Sequence, residues 1–379
     1  MNPTRIKLGI IGGGQLSRMM AFEAQKMGIY IEALDPDPKC PASYVANSLI
    51  VSDFYNEEHL AKIFHNNDFI TYDIEHINAE ALKKLYDKEP KIFPSPYILE
   101  QIQDKLLQKK IFERAKVPAP AYRKLDKNEI ENFESDIYPV VQKSRKGGYD
   151  GRGVFVLKSP ADKANMLKTD SLIEEYIDFE KELAIMAARD KEGNIKLYPV
   201  VEMIFDDRVN ICDITSAPAR VSEKVVKEVN SIAEAIVENL DGVGIFGIEL
   251  FLTGDEKVYV NEIAPRPHNS GHYTIEACKT SQFEQHIRAV CGLPLGSADL
   301  VIPAVMANIL GDESHTGKPL ITGLKEALQI EGLYFHYYCK SSTKPFRKMG
   351  HITVVDNSVD SAFKKVSQAK NIIKVISEK

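Results

Sequence analysis

The chain holds 379 residues, 44% hydrophobic and 27% charged, a balance that excludes a disordered chain and, at about 100–200 residues per domain, leaves room for two or three domains. Its formal net charge of −6 gives no chain-wide cationic field for nucleic acid or anionic lipid, so an anionic ligand has to be met by local basic residues. The five cysteines are scattered without a C-x-x-C pair, no run approaches the ~18 consecutive apolar residues of a membrane helix, and the first residues enter a strand-like segment directly, so a reduced, cytosolic protein is expected.

In chain order, 5–11 reads as a buried strand, Gly12, Gly13 and Gly14 as its turn, 15–27 as a helix, and 29–34 as a second strand ending in Asp35-Pro36. The alternation continues with strands near 48–51, 69–74 and 91–93 and helices at 57–64 and 79–86, which predicts a parallel sheet covered by helices. Pro94 and Pro96, a charged helix over 98–115, and Pro118 and Pro120 mark a boundary near 95–120. Beyond it the pattern becomes α+β. Antiparallel pairs are expected at 139–143 with 154–157 and at 247–252 with 257–262, helices at 223–239 and 282–290, and a strand-rich end with a closing helix near 361–369.

The first glycine turn suits a phosphate at a helix N-terminus, with Asp35 placed as a ribose acceptor would be. Ser17 stands where a dinucleotide fingerprint has its third glycine, and a glycine turn of this kind occurs in many folds without any dinucleotide. The downstream residues therefore decide the function.

In the hairpin 247–262, residues whose numbers sum to 511 face each other if the turn holds an even number of residues. Glu249 and Glu262 are then cross-strand neighbours about 4.5–5.5 Å apart. Two facing carboxylates among apolar residues repel unless a proton or cation lies between them, and magnesium suits such a site because phosphates complete its shell. A solvated edge pair is the bland alternative, and a one-residue register slip would separate the two side chains.

The loop after Glu262, APRPHNSGH over 264–272, can hold Arg266 and its neighbours above such a metal. The fork of Arg266 suits a planar anion. Ser270 and Gly271 between His268 and His272 argue against a helical zinc site. A second cluster, KSRKGGYDGRG over 143–153, carries four glycines and four cations between two apolar strands. A loop of this kind can close over polyphosphate, although it lacks P-loop spacing. An ordinary turn at Asp150-Gly151 would leave its cations without a role.

These segments resemble the N5-carboxyaminoimidazole ribonucleotide synthetases of the ATP-grasp type. The matching stretches are IGGGQL (11–16), TYDIEHI (71–77), GGYDGRG (147–153), NEIAPRPHNSGHY (261–273), 281–295 and RKMGHI (347–352), which lie in order along nearly the whole chain. The resemblance implies an ATP-grasp fold, mixed α/β and α+β, with a Rossmann-like N-terminal domain (1–104), a grasp domain (105–295, its flap lobe about 118–178) and a small C-terminal domain (296–379).

It also implies a reaction: ATP-dependent carboxylation of aminoimidazole ribonucleotide with bicarbonate in purine biosynthesis, by a homodimer that binds neither nucleic acid nor membrane. By resemblance, ATP meets Lys105, Lys143, Gly147, Gly148, Tyr149, Asp150, Gly151, Arg152 and Gly153. Glu174, Glu175, Tyr176 and Ile177 form the adenine linker, Glu182 takes the ribose, and Asn261 and Glu262 lie at the phosphates. Glu249 and Glu262 are the Mg2+ carboxylates. The imidazole nucleotide meets Glu75, Tyr149, Asp150 and Arg152, with Lys340 and Arg347 on its phosphate. Arg266, His268, Asn269 and Lys143 serve the chemistry at bicarbonate and the transferred phosphoryl group. The chain departs from the family pattern at Asp207, where a histidine is common, at Lys105, where arginine is common, and at Ala264, where other grasp enzymes place a metal-ligating asparagine.

Overall fold

A computed structural model describes residues 6–148, 153–206, 208–209 and 211–378. The first domain is the expected parallel sheet. Strands β1 (Lys7–Ile11), β2 (Tyr30–Asp35), β3 (Ser48–Val51) and β4 (Phe69–Tyr72) lie in the order β3-β2-β1-β4. The short strand expected near 91–93 is a single parallel bridge, Ile70 to Ile92. Helices α1 (Gln15–Lys26), α2 (Glu57–Asn66) and α3 (Ala79–Tyr86) cover the sheet. The side chains of Asn56 and Asn78 cap α2 and α3 by accepting from His59 N and Ala81 N, so each helix begins where a free donor finds an acceptor.

The single helix expected over 98–115 is two, α4 (Pro96–Gln103) and α5 (Lys105–Ala115). Asp104 breaks it. Its backbone is extended, its carboxylate accepts from Leu106 N, and it pairs with Arg145 at 2.6 Å. Helical periodicity alone does not reveal this break, because the partner of Asp104 lies 41 residues away. The break puts Lys105 on the first turn of α5.

A four-stranded antiparallel sheet follows, ordered β5-β8-β6-β7, from β5 (Tyr122–Leu125), β6 (Val140–Ser144), β7 (Val154–Leu157) and β8 (Ser171–Glu175). The large sheet begins with β9 (Phe179–Arg189), β10 (Ile195–Leu197), β11 (Val201–Asp206) and β12 (Ile211–Ala217). Helix α6 (Glu223–Leu240) leads to the hairpin β13 (Gly244–Thr253) and β14 (Val258–Ala264). Short α7 (Thr274–Ala277) and α8 (Gln282–Val290) precede the last region: β15 (Ala304–Leu310), β16 (Pro319–Thr322), α9 (Leu324–Ala327), β17 (Leu333–Tyr337), β18 (Lys348–Val355), α10 (Val359–Ile372) and β19 (Lys374–Ser377).

The large sheet runs β14-β13-β9-β11-β12-β15-β18-β17. It is continuous across the expected boundary at residue 296, because β12 pairs with β15. Helices α5 and α6 pack on its first half through Phe112, Val229, Ile236 and Phe246, all buried. Helix α8 instead shares a core with α1 through Phe283, Ile287, Met20 and Leu16. The grasp segment is thereby fixed to the first sheet. His286, fully buried on α8, bolts this junction: its Nε2 is 2.7 Å from Thr71 Oγ1 on β4, and its Nδ1 accepts from Ile245 N on β13 at 3.1 Å.

Candidate active site

The first glycine turn already holds an anion, and the chain supplies it. Ser17 N at the start of α1 donates to Asp73 Oδ2 at 3.1 Å, and Gly13 N donates to Asp35 Oδ2 at 2.7 Å. A Cβ on Gly12, whose φ is +103°, would stand 1.7 Å from Asp73 Oδ1, and one on Gly13 would stand 2.5 Å from Cys40 Sγ. The glycines admit these side chains. Burial pushes the Asp73 carboxyl up to about 6, with Ser17 opposing the shift. The dinucleotide reading has no place here, since Asp73 and Asp35 fill the position a diphosphate would take.

The acidic hairpin pairs Glu249 with Glu262 as expected, but by a different route. At the tip Leu252 faces Val258 and Leu250 faces Val260, a register that by itself would place Asn261 opposite Glu249. The register shifts between Glu249 and Leu250, making Asn261 the extra residue of a bulge, and the turn spans the odd-numbered stretch 253–257. Val258, Val260 and Ile263 face the apolar core. Asn261 and Glu262, two residues where strict alternation allows one, both turn to the site. The bulge thus adds an amide beside the carboxylates.

Two lysines reach this pair of residues. Lys105 Nζ lies 2.5 Å from Glu262 Oε2, and Lys143 Nζ on β6 donates to Asn261 Oδ1 at 2.7 Å. Lys143 also forms an ion pair at 3.1 Å with Glu174 Oε2 on β8, and Lys109 forms another at 3.1 Å with the same oxygen. Burial favours a neutral Glu174, but Lys143 and Lys109 hold its carboxyl below the usual range. Burial likewise works against the charge on Lys105, and Glu262 overrides it, raising the ammonium.

Three carboxylates share one region and titrate apart. Burial, then the charges of Glu262 and Glu182, raise Glu249, whereas the ammonium of Lys105 holds Glu262 low. Burial, with the charge of Glu262 next, pushes Glu182 up to about 7. Carboxylates forced toward protonation by one another are what a divalent cation relieves. Among the described residues no three His, Cys, Asp or Glu side chains form a metal cage. The facing carboxylates of Glu249 and Glu262 fit magnesium, which is commonly held by one or two carboxylates together with phosphate oxygens.

The loop after β14 is tied to three elements. Arg266 forms an ion pair with Glu75 at 3.0 Å, joining this loop to the TYDIEHI segment after β4. His268 Nε2 lies 3.3 Å from Glu249 Oε1 and its Nδ1 is 2.8 Å from Ser270 Oγ. Asn269 exchanges amide hydrogen bonds with Asn308 on β15 at 2.9 and 2.7 Å. His272 diverges from His268: it is fully buried, with Nδ1 3.1 Å from Gln282 Nε2.

Three family models match the chain in order: a ribonucleotide synthetase preATP-grasp domain over 5–103, an ATP-grasp domain over 110–283, and a phosphoribosylaminoimidazole carboxylase C-terminal domain over 304–365. The crystal structure of N5-carboxyaminoimidazole ribonucleotide synthetase from Thermotoga maritima is 52% identical, covers 98% of this chain and 100% of its own, and superposes with a TM-score of 0.89. The chain belongs to the N5-carboxyaminoimidazole ribonucleotide synthetase family. The synthase of that name from Synechococcus elongatus is 38% identical over 97% of this chain and 93% of its own length. A family structure from Aspergillus clavatus, in complex with ADP and 5-aminoimidazole ribonucleotide, is 31% identical, covers 98% of this chain and 99% of its own, and has a TM-score of 0.88. The chain spans about two thirds of the plant and fungal carboxylases it matches, 65% of the chloroplastic one from Vigna aconitifolia.

Other residues that the synthetase family pattern singles out are distributed as follows. Glu174, Glu175, Tyr176 and Ile177 run from β8 toward β9, with Glu175 N bonded to Ala121 O at 2.8 Å and Tyr176 exposed. Gly147 has a φ of +78° and open space around it, and Gly153 has a φ of +79°. Tyr149, Asp150, Gly151, Arg152 and Asp207 lie outside the described residues. Lys340 donates to Lys348 O at 2.7 Å, and Arg347 donates to Ser342 O and Oγ at 2.8 and 2.9 Å, so the structure tethers both to their own loop. Sequence reasoning missed Lys109 and Asn308. Lys109 stands one helical turn from Lys105, a spacing visible in the sequence; Asn308 gives no local signal.

Proposed function

We infer that the chain carboxylates 5-aminoimidazole ribonucleotide with bicarbonate at the expense of ATP, giving N5-carboxyaminoimidazole ribonucleotide, ADP and phosphate in purine biosynthesis. The carrying observation is the bulged pairing of Glu249 with Asn261 and Glu262 opposite Lys105 and Lys143, in a chain that matches this family along nearly its whole length. An oxygen of bicarbonate attacks the γ-phosphorus, the bond to the ADP oxygen breaks, and carboxyphosphate forms. The amine of the imidazole then bonds to the carboxyl carbon, loses a proton, and phosphate departs with the bicarbonate oxygen.

Lys105 and Lys143 supply positive charge at the phosphates, and Asn261 orients Lys143. Arg266 is paired with Glu75, a residue the family resemblance assigns to the imidazole nucleotide, and its fork suits bicarbonate. His268 is held by Ser270 beside Glu249, and Asn269 is held by Asn308, so both are fixed polar groups. Magnesium held by Glu249 and Glu262 would supply charge neutralisation at the phosphates. Lys340 and Arg347 take the phosphate of the imidazole nucleotide, together with Tyr149, Asp150 and Arg152 on its ring side. Among the described residues no helix is long and apolar enough to cross a membrane; a cytosolic homodimer is what the family resemblance supports. Phosphate release from ATP tests the reading: it should require bicarbonate and rise sharply when aminoimidazole ribonucleotide is added. Release indifferent to both would refute it.

A further inference from the structure

One oxygen serves two buried ammonium groups. Glu174 Oε2 is 3.1 Å from Lys109 Nζ and 3.1 Å from Lys143 Nζ. The side chains of Lys109 and Glu174 are each 2% exposed, and that of Lys143 is 9% exposed. Lys143 extends to Asn261 in the phosphate region, while Lys109 is walled off behind Glu174. Lys109 Nζ also has no aligned hydrogen bond. A cation so placed is costly, since burial foremost, with Lys143 and Lys105 adding repulsion, depresses it to about 8 despite the pull of Glu174.

The charges explain what this cation does. Two ammonium groups share one carboxylate, so the cluster keeps one surplus positive charge. Without Lys109, Glu174 would pair with Lys143 alone. In a buried site such a pair closes on itself, draws the ammonium toward the wall and cancels its field at the phosphates. The scaffold fixes Lys109 for this purpose: Asp104 caps α5, and Lys105 and Lys109 then project from the same face of that helix, one turn apart.

We propose that Lys109 is a positioning residue for phosphoryl transfer: by sharing Glu174 it leaves the charge of Lys143 directed at the ATP phosphates. The proposal rests on the reading of Lys143 as a phosphate contact. It belongs to the resting cluster, in which Lys109, its side chain 2% exposed, acts through Glu174.

The test is a charge-conserving rescue at Lys109 itself. Lys109→Met removes the surplus charge, and Lys109→Arg keeps it. Lys109→Met should lower kcat about tenfold or more while leaving KM for aminoimidazole ribonucleotide unchanged, and Lys109→Arg should hold kcat within about threefold of the original. Thermal unfolding of each variant confirms that folded protein is compared. A purely structural Lys109 would lower the melting temperature and leave kcat intact when folded. Either an intact kcat in folded Lys109→Met or a loss of about tenfold or more in folded Lys109→Arg overturns the proposal. Where Lys109→Met does not fold, the neutral but polar Lys109→Gln takes its place: a loss of kcat of about tenfold or more supports the proposal, and an intact kcat overturns it. Lys143→Met serves as the reference. Turnover surviving in it overturns the phosphate role of Lys143 and the proposal together, whereas lost turnover there with full turnover in Lys109→Met overturns the proposal alone.

Discussion

Acid should weaken the junction between the first sheet and the grasp segment through His286. The ring is fully buried, with Nδ1 accepting from Ile245 N and Nε2 meeting Thr71 Oγ1, an arrangement that requires the neutral imidazole. Burial depresses its pKa from 6.5 to about 3. A depressed pKa means that the unfolded chain binds the proton first. The stabilisation is therefore complete above the unfolded value and is lost as pH falls from there toward the folded one, at about 1.4 kcal/mol per pH unit. Between about pH 7.5 and about pH 5.5 this one group removes roughly 1.4 kcal/mol. Urea unfolding of the protein and of His286→Phe at both pH values isolates the contribution. The variant should be less stable near pH 7.5 by about 2 kcal/mol or more, because Ile245 N and Thr71 Oγ1 lose their buried partner. Its further loss on acidification should be smaller by roughly 1.4 kcal/mol. Equal pH dependence in the two proteins would refute the neutral, buried imidazole.

Gly12→Ala should cost roughly 3 kcal/mol or more, since the new methyl would meet Asp73 Oδ1 at 1.7 Å in a backbone conformation of positive φ, and urea unfolding measures it. Arg347→Ala should raise KM for the imidazole nucleotide about ten- to hundredfold through the lost charge-assisted bond, with KM for ATP little changed, as steady-state kinetics with each substrate varied will show. Glu262→Gln should remove ATP turnover while the protein stays folded, because it takes away one of the two proposed magnesium carboxylates and the partner of Lys105; near-normal turnover would sink the metal assignment.

The first domain was legible because its signals are local: glycine turn, capping asparagines and alternating periodicity all lie within a few residues of what they determine. Glu249 facing Glu262 was also legible, though the even turn assumed for it is not the one formed. The alternation Val258, Val260, Ile263 carries the missing information, since two polar residues stand where one belongs, and that interruption is the bulge. The break at Asp104 and the roles of Lys109 and Asn308 depend on Arg145, Glu174 and Asn269, partners distant in the chain that only the assembled fold supplies. Asp73 shows the same limit from the other side. The glycine turn it fills has the local form of an anion site, and nothing within the turn reveals that the anion is the protein's own.

The most direct test of the account follows the oxygen. With ATP, aminoimidazole ribonucleotide and bicarbonate labelled with heavy oxygen, mass spectrometry of the released phosphate reads which atom attacked the γ-phosphorus. One labelled oxygen is expected in the phosphate, carried there from bicarbonate when the imidazole amine takes the carboxyl group. Phosphate whose new oxygen comes from water, with turnover otherwise intact, would contradict it.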